Sequence, residues 1–159
     1  MRYLVLSLLG FFALILQSTI LNEFTIAGVK PDLLLIFTVY FALIKGPGEG
    51  AGAGFLLGLI EDLYSAKYIG LNALCKLIIG ILVGFLEKRL YKENFFVPMM
   101  ALFVASLLHT FLYFVFSNFV GYPIPIVFLA KIILPFALYN TCLTPFIYGL
   151  FYKACTYKN

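Results

Sequence analysis

The stretch Gly46–Asp62 reads G-P-G-E-G-A-G-A-G-F-L-L-G-L-I-E-D, and it decides how the rest of the chain is interpreted. Small residues recur in it at steps of four and end in a carboxylate. Such spacing places them along one side of an α-helix. Glycine at this density weakens a helix in water but lets two helices approach closely in lipid. The stretch therefore predicts a helix-packing seam formed by Gly50, Gly54, Gly58 and Asp62.

The composition is that of a membrane protein. Hydrophobic residues make up 64% of the 159 positions and charged residues only 11%. A soluble domain has about half apolar and about a quarter charged residues. The length suits five or six membrane spans with short loops and leaves no room for a separate soluble catalytic domain. We therefore predict an all-α membrane protein with one domain over residues 1–159.

Six apolar segments are predicted to be transmembrane helices. They cover residues 3–21, 32–44, 49–64, 72–86, 97–116 and 126–151. The second and third are short, since Glu49 to Glu61 spans about 17 Å of helix against a hydrocarbon core of about 30 Å. They either cross with their charged ends buried or form a hairpin that does not cross fully, and we favour two crossings. Pro135 and Pro145 predict a kink in the last segment, or an interfacial segment before it.

The basic residues predict the orientation in the membrane. Six spans put both termini on one side, together with most of the 11 basic residues: Arg2, Lys45, Lys88, Arg89, Lys92, Lys153 and Lys158. The other side has Lys30 and Lys67, while Lys76 and Lys131 lie in or near apolar runs. The positive-inside rule then predicts cytoplasmic termini. A five-span arrangement would separate Lys153 and Lys158 from the other basic residues and fits less well.

The chain shows no pattern typical of an enzyme. Glu61 and Asp62 are adjacent, but neighbouring helix positions point about 100° apart and no His, Cys or third acid nearby completes a metal shell. We interpret the pair as a structural ion pair or a helix-end anchor. His109 is the only histidine. Tyr113, one turn away, is a poor proton relay, so a neutral, hydrogen-bonded His109 is favoured. We predict no catalytic residue, no metal and no cofactor.

A second ridge at steps of four occurs in the fourth segment, and its members are Lys76, Gly80, Gly84 and Lys88. Lys76 lies inside an apolar run, where an unpaired ammonium costs at least about 2.5 kcal/mol at the bilayer centre. We predict that the two ridges pack together, with Asp62 beside Lys76, Gly58 opposite Gly80 and Gly54 opposite Gly84. The alternative is that each ridge faces a different neighbour, which leaves the glycines of the third segment for a partner protein or a second copy.

Several short motifs carry a family resemblance. They are Pro31-Asp32-Leu33-Leu34-Leu35, Lys45-Gly46-Pro47, Gly50-x-x-x-Gly54-Phe55-x-x-Gly58-Leu59-x-x-Asp62 and Gly70-Leu71-Asn72-Ala73-Leu74. In this order the chain resembles the bacterial rod shape-determining MreD family. The resemblance implies a non-enzymatic component of the inner membrane that serves the cell-elongation machinery. Its implied partners are the bitopic protein MreC, the actin-like MreB filament and the peptidoglycan polymerase–transpeptidase pair. Pro31, Asp32, Gly70 and Asn72 are the motif residues outside the seam.

The resemblance also supplies an alternative function. The MreD family is similar to the six-helix substrate-binding subunits of energy-coupling-factor transporters, which implies uptake of a vitamin or another small solute. Those subunits carry an Ala-x-x-x-Ala seam in the first helix, whereas the first segment here has only Ala13. A lipid-handling protein remains a third alternative. Identification of the molecules that co-purify would discriminate among the three.

Overall fold

The computed structural model describes residues 11–15, 17, 19, 28–66, 68–86 and 96–156, with side chains as far as residue 145. Within these ranges the chain is helical apart from short connections and contains no β-strand. Residues 11–15, 17 and 19 are helical, and five further helices follow. They are α1 (Leu33–Lys45), α2 (Pro47–Ser65), α3 (Leu71–Gly84), α4 (Phe96–Phe119) and α5 (Ile126–Thr156).

Local sequence explains both ends of α1. The Asp32 carboxylate accepts a hydrogen bond of 2.8 Å from the Leu35 backbone N–H and so caps the first turn. The helix ends at Gly46, whose φ of 88° favours glycine and whose N–H bonds to the Ala42 carbonyl. Pro47 then starts α2, because proline lacks only an N–H that the first turn leaves unbonded. A single residue therefore separates α1 from α2.

The centre of the fold is α1, and it packs against each of the other four helices. A helix that is apolar on all sides is one that is buried on all sides. Its fully buried apolar side chains are Leu34, Leu35, Ile36, Val39, Ala42 and Leu43. They form one hydrophobic core with residues of the other helices and with Ala13 and Leu14 of the first helical segment. The core thus surrounds α1, and the glycine-rich helix α2 contributes Leu57 to it.

Two helices have the length and composition needed to cross a membrane. They are Phe96–Phe119 and Ile126–Pro145, and both expose most of their surface. The apolar helices α1 and α3 are shorter than a full span. The six-span arrangement stays a prediction, and most of its first segment lies outside the described residues. Lys67 and Lys88, at two of the loops that define the predicted orientation, also lie outside them.

The helix bounds differ slightly from those expected. The last helix runs without interruption from Ile126 to Thr156 and carries Pro135 and Pro145 inside it. Its partner α4 continues to Phe119, and the turn after it contains Gly121, whose φ is 91°. From the last turn of α4 the Ser117 hydroxyl donates a hydrogen bond of 2.7 Å to the Tyr122 carbonyl beyond the helix. The longer α4 therefore ends in a side-chain hydrogen bond that hydropathy does not predict.

Candidate functional site

Helices α2 and α3 pack backbone against backbone along their glycines. A methyl group placed on Gly50 would lie 2.7 Å from the Gly80 carbonyl oxygen, and one on Gly58 would lie 2.6 Å from Ala73 Cα. A methyl group on Gly54 would meet the Lys76 carbonyl. These approaches leave no room for a Cβ atom. The predicted ridges therefore face each other, and α3 covers Gly50, Gly54 and Gly58 of α2.

The register of this pair differs from the predicted one. Gly80 lies opposite Gly50 and not opposite Gly58, which corresponds to two turns or about 12 Å along α2. Gly84 accordingly meets Pro47 and not Gly54. Because both ridges repeat every four residues, several registers satisfy the spacing equally well. The spacing alone could not select among them.

The predicted Asp62–Lys76 ion pair is wrong, because Asp62 binds the start of α3 instead. In the observed register α2 extends past the first turn of α3. The buried Asp62 carboxylate accepts hydrogen bonds from the backbone N–H groups of Gly70 at 2.9 Å, Asn72 at 3.2 Å and Ala73 at 3.1 Å. It also accepts one of 2.9 Å from the Asn72 side-chain amide. A carboxylate is stabilised at this position because the first N–H groups of a helix lack partners and carry partial positive charge.

This arrangement gives a structural reason for two of the motif residues. Gly70 has a φ of 106° and precedes α3 directly, so that its N–H points to Asp62. A side chain is strained at such a φ. Asn72 contributes its amide to the same carboxylate. The motif G-L-N therefore forms a socket for Asp62 that ties the end of α2 to the beginning of α3.

Lys76 is fully buried, and its ammonium joins two carboxylates from different helices. It lies 2.8 Å from Asp32, at the start of α1, and it also forms an ion pair with Glu61 of α2. The exposed fractions of these two acidic side chains are 5% and 18%. Ion pairs in such surroundings are strong only when further hydrogen bonds satisfy the remaining atoms. We call Asp32, Glu61 and Lys76 the buried ion cluster.

Neutral side chains from the remaining helices surround the buried ion cluster. The side-chain oxygen of Gln17 accepts a hydrogen bond of 3.0 Å from the Leu33 N–H. The side-chain nitrogen of Gln17 lies 3.5 Å from the Glu61 carboxyl group. The side-chain oxygen of Asn140 accepts a hydrogen bond of 2.9 Å from the Asp32 N–H. The side-chain nitrogen of Asn140 donates a hydrogen bond of 3.1 Å to the Ser106 hydroxyl. Every helical element of the described chain therefore contributes a group to one connected polar layer.

His109 belongs to the interior of the protein, with 7% of its surface exposed. Its ring stacks at 6.0 Å from Phe136 and 6.3 Å from Tyr113. The Nε2 atom of its ring has no hydrogen-bond partner among the described residues. The expected hydrogen bond between helices is therefore missing at this nitrogen, and aromatic contacts hold the ring. Among the described residues no group of three His, Cys, Asp or Glu could hold a metal ion.

The comparison with protein families was decisive for identification. The family described as rod shape-determining protein MreD matches residues 1–154, which is nearly the whole chain. The chain belongs to the MreD family. Comparisons with curated proteins and with solved structures found no match. This MreD-family protein is thus a bacterial membrane protein of the rod-shape-determining class, a family of structural proteins and not of known enzymes.

The sequence indicates which residues of this site are important, but it does not indicate which of them contact each other. It singled out Lys76 as a buried cation and Asp32 as a helix start, but it did not connect them. Their link spans 44 positions in sequence, and a local pattern carries no signal for it. Glu61 and Asp62 were interpreted together as an ion pair or a helix-end anchor. In the fold Glu61 forms the ion pair and Asp62 binds the helix end.

Proposed function

We propose that this MreD-family protein is a non-enzymatic membrane scaffold of the cell-elongation machinery. In this proposal it binds a MreC-like bitopic protein and the peptidoglycan polymerase–transpeptidase complex, and it contacts the actin-like MreB filament directly or through them. The family match over residues 1–154 is the observation that carries the proposal. The finer assignment of partners rests on the family resemblance of the motifs.

The outward faces of α4 and α5 are the surface that suits a partner in the membrane. Both helices are long and apolar and bury little of their surface in this chain. Large apolar side chains point away from the core along them, among them Met100, Val104, Phe111, Leu134 and Leu138. The glycine ridge of α2 is not available for a partner because α3 covers it. A single transmembrane helix of a bitopic protein would therefore pack on α4 or α5.

Site-specific photo-crosslinking in growing cells tests this proposal. A photoreactive amino acid at the outward positions Phe111 and Leu138 is expected to capture the bitopic partner. The same amino acid at Leu102, which lies on α4 but is fully buried, serves as the matched control and should capture nothing. Equal capture from all three positions would contradict a specific surface on α4 and α5.

Purification of the protein from its membrane decides between a scaffold and a transporter subunit. A scaffold is expected to co-purify with elongation proteins. A vitamin or another small solute bound in a one-to-one ratio, without those proteins, would establish the transporter alternative instead. Bound phospholipid as the sole stoichiometric component would favour a lipid-handling role.

The proposed location is the bacterial inner membrane, with six spans and both termini in the cytoplasm. It rests on the distribution of basic residues, because cytoplasmic loops are enriched in Lys and Arg. In a variant without native cysteines, Lys67→Cys is expected to react with an impermeant thiol reagent added outside. Lys88→Cys and the turn position Lys45→Cys should be protected until the membrane is opened. The reverse pattern would overturn this orientation.

A further inference from the structure

The polar layer contains more acidic than basic groups. Two carboxylates, from Asp32 and Glu61, lie in the buried ion cluster, and a third, from Asp62, follows Glu61 directly in sequence; among the described residues, Lys76 is the cationic side chain that pairs with the first two. Fully ionised, the buried ion cluster alone carries a formal charge of −1. An unmatched charge in an apolar interior is costly and is normally removed by a partner or by a proton. The surroundings of each carboxylate determine which one holds the excess charge.

Asp32 and Asp62 both lie where a helix stabilises an anion. Asp32 caps α1, where it accepts the Leu35 N–H and contacts Lys76. Asp62 accepts three backbone N–H groups and one amide at the start of α3. The N-terminal ends of helices carry partial positive charge, and each such N–H bond favours the ionised carboxyl group. Backbone N–H groups therefore satisfy both carboxylates as hydrogen-bond acceptors.

Glu61 has the opposite surroundings. It lies near the C-terminal end of α2, where the helix dipole disfavours a negative charge. It receives no backbone N–H bond among the described contacts, and it shares its ammonium with Asp32. Among the described residues, its Oε1 atom has only a long contact of 3.5 Å to the Gln17 amide. With 18% of the side chain exposed, it is also the most accessible member of the buried ion cluster.

Within the part of the chain that the structure describes, the other elements supply no second cation to Glu61. The first helical segment brings the neutral Gln17, α1 brings Asp32, α2 brings Asp62 and α3 brings Lys76. From α5 comes the neutral Asn140. From α4 comes the buried His109, whose Nε2 makes no hydrogen bond within the described part of the chain.

We propose that Glu61 is a proton-binding site that balances the charge of the buried ion cluster. With the proton bound, Asp32 and Lys76 form a neutral pair, and Glu61 still accepts the hydrogen bond from Lys76 through Oε2. Release of the proton leaves two carboxylates on one ammonium at the contact of α1, α2 and α3. The stability of the contact among α1, α2 and α3 therefore depends on the pH of the solution to which Glu61 is exposed.

The sign of the effect follows from proton linkage. A carboxyl group that holds a proton in the folded state and loses it on unfolding stabilises the protein at lower pH, and this contribution is lost as the pH rises. The unfolding temperature is therefore expected to fall by several degrees from mildly acidic to mildly alkaline pH. E61Q, which imitates the protonated form, should remove this dependence and keep the unfolding temperature of the acidic state. D32N should lower the unfolding temperature at every pH.

Infrared spectroscopy of the full chain in lipid tests the proposal directly. The expected result is a carbonyl band of a protonated carboxylic acid at neutral pH that disappears on alkalinisation and is absent in E61Q. No such band at any pH, a band that persists in E61Q, or an E61Q protein as unstable as D32N would each overturn it. If E61Q fails to fold, the pH titration of the unsubstituted protein still decides, because the band is either present or absent.

Discussion

The Lys76 ammonium lies 2.8 Å from the Asp32 carboxylate and joins the middle of one helix to the N-cap residue of another. This contact connects α3 to the central helix α1, whereas the glycines connect α3 to α2. Both links converge on Lys76, since its carbonyl packs against Gly54 and its side chain reaches Asp32 and Glu61. Lys76 is therefore the residue on which the packing of three helices depends.

Removal of the Lys76 charge should destabilise the fold strongly. Lys76→Met leaves two buried carboxylates without their cation, and breaking a buried ion pair costs about 3–5 kcal/mol. Unfolding of the purified protein in detergent measures this loss. Lys131→Met is the control, since Lys131 lies exposed on α5, and it should change the unfolding free energy by no more than about 0.5 kcal/mol. Similar values for both variants would show that the buried ion cluster contributes little.

The socket of Asp62 predicts a graded series of substitutions. Asp62→Ala removes the acceptor of four hydrogen bonds and should cost about 2 kcal/mol, as expected for loss of a helix cap. Asp62→Asn keeps one acceptor oxygen and should cost less. Hydrogen exchange at the Gly70, Asn72 and Ala73 amides should speed up in Asp62→Ala. Unchanged exchange at these three amides would contradict the assigned cap.

The glycine seam can be tested with two substitutions in one helix. Gly54→Ala would bring a methyl group against the Lys76 carbonyl and force α2 and α3 apart, so we expect a loss of about 1–3 kcal/mol. Gly52→Ala is the matched control because nothing lies within 4 Å of its added methyl group. It should stabilise α2 by up to about 1 kcal/mol through helix propensity. A neutral Gly54→Ala in the same unfolding assay would rule out the close packing.

Replacement of Asn140 should destabilise the fold, because it leaves two buried polar groups without their hydrogen-bond partner. Asn140→Ala removes the acceptor of the Asp32 N–H and the donor to Ser106, at an expected cost of about 1–3 kcal/mol. A double-mutant cycle with Ser106→Ala should give a coupling energy of at least about 0.5 kcal/mol. Thr141→Ala, whose hydroxyl bonds only within α5 to Ala137, is the control and should be close to neutral. Strict additivity in the cycle would argue against a connected polar layer.

The local features of this fold could be predicted from the sequence. The apolar composition indicated a membrane protein, and the described helices begin and end close to the expected positions. Asp32 as a helix start, Gly46-Pro47 as a tight turn and the closeness of the two glycine ridges followed from spacing and backbone chemistry. These features depend on residues that are a few positions apart, so short stretches of sequence contain the information.

Only the tertiary structure decided the register of the ridges and the partners of the charges. Ridges that repeat every four residues fit together at several offsets. In the observed offset Asp62 lies at the start of α3 and accepts the N–H groups there. Lys76 could have paired with any nearby acid, and it contacts Asp32 because α1 lies at the centre of the fold. Helix ends are determined by local backbone and capping interactions. The partner of a buried charge depends on which helices pack together, and only the complete fold determines that.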